Sequence, residues 1–547
     1  MKTKILLFIC VALLSGGTTV LACTGIIVGK KASTDGSVMI SYAADSHTLY
    51  GEMYRWPAAK WPRGAMLDVV EWDSGKPLGR IAQAEQTWSV VGNMNERQVA
   101  ITESTFGGRP ELVDTTGMID YGSLIYIALQ RAGTAREAIK IMTDLVAEYG
   151  YCSGGESFSI ADKNEAWIME MIGKGAGKKG AVWVAIRIPD DCISAHANQS
   201  RIQQIPFDDG ENCLYAPDVV SLAREKGYFN GKDRDFSFVK AYNPYDFGGL
   251  RACEARVWSV FRRYDPSMSQ YEAFIKGDTT KTPMPLYIKP DRKLSVRDVQ
   301  HCMRDHFEGT DLDMTNDAGA GPYKAPYRWR PMHFEVDGRE YLNERAIATQ
   351  QTGFVIVPQM RNWLPDAIGG ILWFGVDDAD MTVFNPVYAS SLAVPECYRT
   401  GNGDLYTFSW TSAFWMHNWV ANMAYGKYNF MIGDIRKVQQ ELEDGHRDLI
   451  PAIDRAAAEM YEKNPEEARK FLTWFSTTTA DNATRRWKEL GEYLLIKYID
   501  GNVKKEENGQ FRRNPYGMPV SPDFPGYDGE FYRKIVESAG DRLKMGS

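Results

Sequence analysis

Beyond residue 22 the chain has no apolar run near the ~20 residues of a spanning helix, so no membrane span is expected. It has no excess of basic charge either: 63 Lys and Arg stand against 71 Asp and Glu, a net charge of -8. Nucleic acid is therefore not an expected partner. No C-x-x-C pair occurs, which argues against a structural zinc site, and no metal or cofactor is expected. Repeats of fixed period and low-complexity tracts are missing as well, which excludes a solenoid and a disordered chain.

What is there is a chain of 547 residues, 44% hydrophobic and 24% charged, long enough for several domains or one large one. Its aromatic share of 12% suits both a large core and binding grooves. The first 22 residues have the grammar of a secretory signal. Lys2 and Lys4 form a charged start, Ile5 to Leu14 an apolar stretch, and Val20-x-Ala22 a small-residue cleavage site. An exported protein, periplasmic or extracellular, is expected. Loss of Cys10 with that segment would reduce eight cysteines to seven. The odd number suggests one thiol kept free, with up to three disulfides among the other six.

Cys23 stands at the junction, in "TTVLACTGIIVGKK", and admits three readings. As a lipidated cysteine it would need a flexible polar tether, yet it runs directly into the β-branched segment Gly25–Gly29. As a routine disulfide partner its position at a new N-terminus is left unexplained. As an N-terminal nucleophile the position is useful. Cleavage before Cys23 leaves a thiol and an α-amine of pKa about 7.7 to 8.0 on one residue, so nucleophile and base arrive together.

The pattern after Cys23 is hairpins around helices. Asp35-Gly36 turns the chain, Ser37 to Ser41 returns antiparallel, and Asp45 follows. Strands are expected at Trp88–Val91 and Val99–Thr102, and a hairpin turns at Asp162–Glu165. A helical hairpin lies between them, with Thr134-x-x-Glu137 as a capping box and Gly150 as the stop. From about residue 433 the chain becomes helix-rich, with a break at Asn464-Pro465 and with Thr484 and Glu489 on solvated faces. The Pro/Gly-rich end, from Asn508, reads as an extended arm.

The segments "CTGIIVGKKASTDGSVMISYAADSH", "GNMNERQVAITESTFGG", "ESFSIADKNEAWIMEMIGKG" and "ISAHANQSRI" resemble the secreted dipeptidase A family of cysteine N-terminal nucleophile hydrolases. More distantly they resemble the choloylglycine hydrolase and penicillin V acylase group. The resemblance implies an α+β fold, a four-layer αββα sandwich over residues 23–432, with a helix-rich extension over 433–547 packed on it. It implies Cys23 as nucleophile, Asp45 as the acidic contact of its amino end, Asn198 as an oxyanion donor and Arg256 as an arginine of the site. The implied reaction is hydrolysis of dipeptides through a thioester on Cys23, with a dipeptide as partner and a homo-oligomer possible.

Two positions depart from the pattern. Tyr42 stands where many members of the family have an arginine, so Arg256 or a cationic α-amine must supply the positive potential. Thr105 stands where the acylase group has an asparagine, which points to a backbone N–H donor there. His47 and His196 have no spacing that singles them out as a Cys–His partner, and each is expected to be a hydrogen-bonded structural histidine. "GVDDAD" at 375–380 lacks calcium-loop spacing and reads as a loop with three carboxylates. Rival readings are an amidase acting on N-acyl or bile-acid amides, and a non-catalytic glycan-binding surface lipoprotein.

Overall fold

A computed structural model describes residues 23–545; the expected signal segment and Cys10 lie outside the described residues. The chain opens with strands β1 (Gly25–Val28), β2 (Val38–Ile40) and β3 (Tyr42–Asp45). The turn between the first two is made as its residues dictate: Gly36 takes φ +85°, and Asp35 accepts hydrogen bonds from the Ser37 N–H and hydroxyl. A second hairpin, β4 (Met66–Val70) and β5 (Pro77–Ala82), precedes the long strand β6 (Ala100–Gly107). Helices α1 (Tyr121–Arg131) and α2 (Ala135–Tyr149) follow. Then come strands β7 (Gly155–Ala161), β8 (Ala166–Gly173), β9 (Ala181–Ile188) and β10 (Ile193–His196).

Helices α3 (Ala255–Phe261) and α4 (Val296–Met303) lead to β11 (Thr352–Met360), β12 (Gly370–Val376) and β13 (Asn385–Tyr388). The C-terminal part holds α5 (Ala413–Tyr425), two long helices α6 (Tyr428–Lys463) and α7 (Pro465–Lys497), and α8 (Gly529–Ala539). Helix α6 therefore begins ahead of residue 433. The Asn464-Pro465 break is a cap, with the Asn464 side chain accepting from the N–H groups of Glu466 and Glu467. Thr134 caps α2 by accepting from Glu137 N–H, while Glu137 reaches back to Gly133 N–H, one residue beyond the expected box.

Among the described residues two eight-stranded sheets, antiparallel throughout, form the centre. One runs from a short edge strand (Tyr287–Ile288) through β10-β1-β2-β11-β12-β13, with β3 also on β11; the other runs from a short edge strand (Cys213–Tyr215) through β9-β8-β7-β6 into three short strands. Alternation along each strand decides what it faces. Ile27, Val38 and Ile40 point into a core shared with Ala100, Ala161 and Ile168 of the second sheet. Ile26, Val28 and Met39 point the other way, onto α3, α4 and residues Ile450, Ala457, Leu472 and Phe475 of α6 and α7. On the far side, Phe158, Ile160, Trp167 and Met169 pack beneath α1 and α2. The packing order is helices, sheet, sheet, helices.

Some expectations are corrected. All seven described cysteines are free thiols, so no disulfide joins them. Thr484 is buried rather than solvated, its hydroxyl bonded to the Ala480 carbonyl within α7. The terminal arm contains helix α8 and a short hairpin at Glu506–Phe511. The three "GVDDAD" carboxylates are buried latches. Asp377 accepts from Asn418, Asp378 from the Tyr425 hydroxyl, and Asp380 from Tyr428 and Arg436, fastening this loop to α5 and α6. Among the described residues no His, Cys, Asp and Glu group is arranged to hold a metal ion, and no helix is long and apolar enough to cross a membrane.

Candidate active site

Cys23 lies two residues ahead of β1 and is 4% exposed, in the lining of a cavity of about 390 Å³. Its sulfur lies 3.6 Å from Glu103 Oε1 and 3.8 Å from the Tyr42 hydroxyl, and Tyr42 in turn donates to Glu103 Oε1. Burial pushes the Cys23 thiol well up, Glu103 and Asp45 add to the rise, and a hydrogen bond from the Asp45 backbone N–H opposes it. A thiolate at this point needs a positive charge beside it.

Asp45 closes β3 on the same cavity. Thr352 donates to its Oδ1 at 2.6 Å and Arg345 to its Oδ2 at 2.5 Å. This buried ion pair joins residues 300 positions apart. Burial raises the Asp45 carboxyl, and Arg345 and Thr352 pull it down.

Arg256 does not enter the cavity lining. From α3 its guanidinium reaches beneath the nucleophile and donates to the Cys23 carbonyl (2.6 Å), Thr24 Oγ1 (2.8 Å), the Ala197 carbonyl (3.1 Å) and Asn198 Oδ1 (2.9 Å). Burial, with Arg345 adding, brings it down to about 10, still cationic at neutral pH. One side chain thus ties the residue before β1 to the residues after β10.

Asn198 sits behind the cavity rather than in its lining. It holds a φ of +59°, a left-handed conformation that asparagine tolerates. Its Nδ2 donates to the Thr105 carbonyl at 2.7 Å. The four residues expected from the sequence therefore divide into Cys23 and Asp45 on the cavity, and Arg256 and Asn198 supporting it. His196 is structural: its ring lies between Ser104 (2.6 Å) and Ser159 (2.7 Å), and burial lowers it to about 3, which keeps it neutral. His47 is exposed, outside the cavity lining.

Sequence reasoning missed Glu103, Arg345 and the cavity walls. Glu103 is 1% exposed, and burial pushes its carboxyl up to about 7 against the pull of the Tyr42 hydroxyl. Beside it on β7, Glu156 is raised well above the ordinary range by burial and by Glu103. The far wall is the β4–β5 hairpin. Asp120, the N-cap of α1, accepts from the Trp72 N–H, and a Cβ on Gly122 would meet the Trp72 ring at 2.4 Å, so only glycine lets the hairpin lie this close. Tyr50, Tyr54, Trp72, Tyr121 and Tyr126 make the walls aromatic. Five carboxylates, Asp45, Glu52, Glu71, Asp73 and Glu103, line the cavity, with no Lys, Arg or His among the lining residues.

Comparison with known proteins sets the chain among the peptidases. The family described as "Peptidase family C69" matches residues 22–441, and the chain belongs to it. The "Probable dipeptidase" of Latilactobacillus sakei is 27% identical over 477 residues, 83% of this chain and 90% of that protein. The "Dipeptidase A" of Lactobacillus helveticus is 26% identical over 450 residues, 77% of this chain and 84% of its own. The "Probable dipeptidase" of Salmonella dublin is 26% identical over 405 residues, 69% of this chain and 82% of its own.

Proposed function

We propose that the protein is an exported dipeptidase of the cysteine N-terminal nucleophile class, with Cys23 as nucleophile. The observation that carries this reading is the position of Cys23: its sulfur faces a dipeptide-sized cavity at the leading end of a central strand, directly after a segment with signal grammar. The helix-sheet-sheet-helix packing supports an N-terminal nucleophile sandwich over residues 23–432, with 433–547 as its extension, and the names of the relatives support dipeptides as substrate.

The chemistry follows from what faces Cys23. Cleavage before it creates an α-amine, and the carboxylates around the cavity favour the ammonium form. That ammonium supplies the positive charge that stabilises the thiolate, the role an arginine at position 42 fills in many relatives. The thiolate attacks the peptide carbonyl, the ammonium protonates the departing amine, and a thioester remains on Cys23. The α-amine then activates the water that hydrolyses it. Backbone N–H groups stabilise the tetrahedral oxyanions, and Asn198, bonded to the Thr105 carbonyl and to Arg256, holds that side of the site in place. Arg256 holds the Cys23 carbonyl and so fixes the reacting atoms.

Two measurements test the reading. N-terminal sequencing and intact mass of the mature protein are expected to show an unmodified chain beginning at Cys23, and a diacylglyceryl group there would sink it. Release of amino acids from a dipeptide panel is expected to vanish in Cys23→Ala; undiminished turnover would reject the nucleophile.

A further inference from the structure

We infer that Glu103 is the anchor for the free α-ammonium of the substrate's N-terminal residue, so that the cavity selects peptides with an unblocked N-terminus over N-acylated ones. This rests on the proposed role of Cys23.

The inference follows from accounting for the cavity's acids. Asp45 is taken by Arg345 and Thr352. Glu52 accepts from the Tyr54 hydroxyl at 2.8 Å, Glu71 accepts from the Ser74 hydroxyl, and Asp73 accepts from the Tyr121 hydroxyl at 2.9 Å. Glu103 differs from these four. Its Oε1 holds Tyr42, while its Oε2 is buried in the cavity lining, where the side chain that meets it is the carboxyl of Glu156. Glu156 in turn meets the Thr105 hydroxyl and Glu103, so two carboxyls share this spot with no basic side chain among the lining residues. A buried carboxylate in that condition is costly, and a primary ammonium, with three donors and a positive charge, is the ligand that offsets it.

Covalent dimensions place such an ammonium at this point. In a dipeptide the α-nitrogen is about 2.5 Å from the carbonyl carbon under attack. With that carbon about 3 to 3.5 Å from the sulfur, the nitrogen lies within about 6 Å of it. Glu103, with Oε1 3.6 Å from Cys23 Sγ, lies within that radius. An N-acyl substrate brings a neutral amide with one donor and added bulk, and leaves the Glu103 charge unbalanced. Sites that must pair a buried polar group reject analogues lacking the partner by large factors, and at least 100-fold in kcat/KM is expected here.

The test uses the mature full chain and two probes, alanyl-phenylalanine and its N-acetyl form. In Cys23→Ala, which cannot turn over, calorimetry is expected to show the free dipeptide binding at least tenfold tighter than the acetylated one. Adding Glu103→Gln is expected to abolish the difference by weakening the free dipeptide alone. Equal binding of the two probes without that change, or a preference that survives it, overturns the inference. An equal loss on both probes also overturns it, since it assigns Glu103 to the protein's own α-amine. Should the Gln variant fail to fold, Glu103→Asp is expected to weaken only the free dipeptide, and unchanged affinity for it is the overturning result. Hydrolysis that persists in Cys23→Ala would remove the nucleophile while the binding preference still decides the anchor.

Discussion

Glu103 makes a prediction about stability that needs no substrate. Burial pushes its carboxyl, paired with Glu156, up to about 7 in the folded chain against 4.5 for an ordinary glutamate, so between those values the native state holds a proton the unfolded chain has released. Stability from this group is complete below pH 4.5 and is lost as pH rises through 7. Integrated from pH 5 to pH 8 at 1.36 kcal/mol per unit, the loss is about 2 to 3 kcal/mol. Glu103→Gln carries no titrating proton and keeps a similar volume and an acceptor for Tyr42. The variant is expected to gain about that much relative to its parent at pH 8 over pH 5, read from urea midpoints at the two values. Parallel losses in variant and parent would refute the assignment of a raised carboxyl to Glu103. A saturating free-amine dipeptide is expected to restore the Cys23→Ala protein at pH 8 by mass action and to do nothing for its Glu103→Gln form.

Three further outcomes follow from the site. Arg256→Lys keeps a charge but loses the fork that spans the Cys23 and Ala197 carbonyls; thermal scanning is expected to show a loss of about 2 to 4 kcal/mol, and kcat to fall more than KM rises. Gly25→Ala puts a Cβ 2.6 Å from His196 Nε2 and 3.3 Å from the Ser41 carbonyl, so overpacking of about 1 to 3 kcal/mol is expected in the same scan. Tyr42→Arg is expected to move the pH midpoint of Cys23 alkylation by iodoacetamide down by at least about one unit, and an unmoved midpoint would show that charge at position 42 does not reach the thiol.

The parts legible in the sequence were those encoded locally. The Asp35-Gly36 turn, the Asp162–Glu165 turn and the Thr134 cap are made by neighbouring residues, and each forms where its pattern says. Cys23 stood out by its position ahead of a strand, and the structure puts it on the cavity. Glu103 was hidden because "AITESTFGG" gives it only a strand's alternation. What distinguishes it is Tyr42, 61 residues earlier, and Glu156 on the next strand. A carboxylate inside a strand whose neighbours Thr102 and Ser104 are also fully buried was the available signal. Arg345 carries no local mark, since its partner is 300 residues away. Thr484 misled because α7 is wrapped on several sides, burying polar positions that an exposed helix would leave in water.

Helix α7 has a further consequence for how the chain can be cut. The family match ends at residue 441, inside α6, after every residue of the site. Yet the Tyr388 N–H of edge strand β13 is bonded to Ser476 of α7, and its hydroxyl to Asp454 of α6, which also holds Arg361. Leu472 and Phe475 close the same core that Ile26 and Val28 enter from the strand after Cys23. A fragment trimmed at the end of the family match would keep the lining residues of the cavity and lose the helical cover of the sheet that carries Cys23, exposing an apolar surface to its own copies. In this chain the residues of the candidate site and the residues that cover its sheet end at different points.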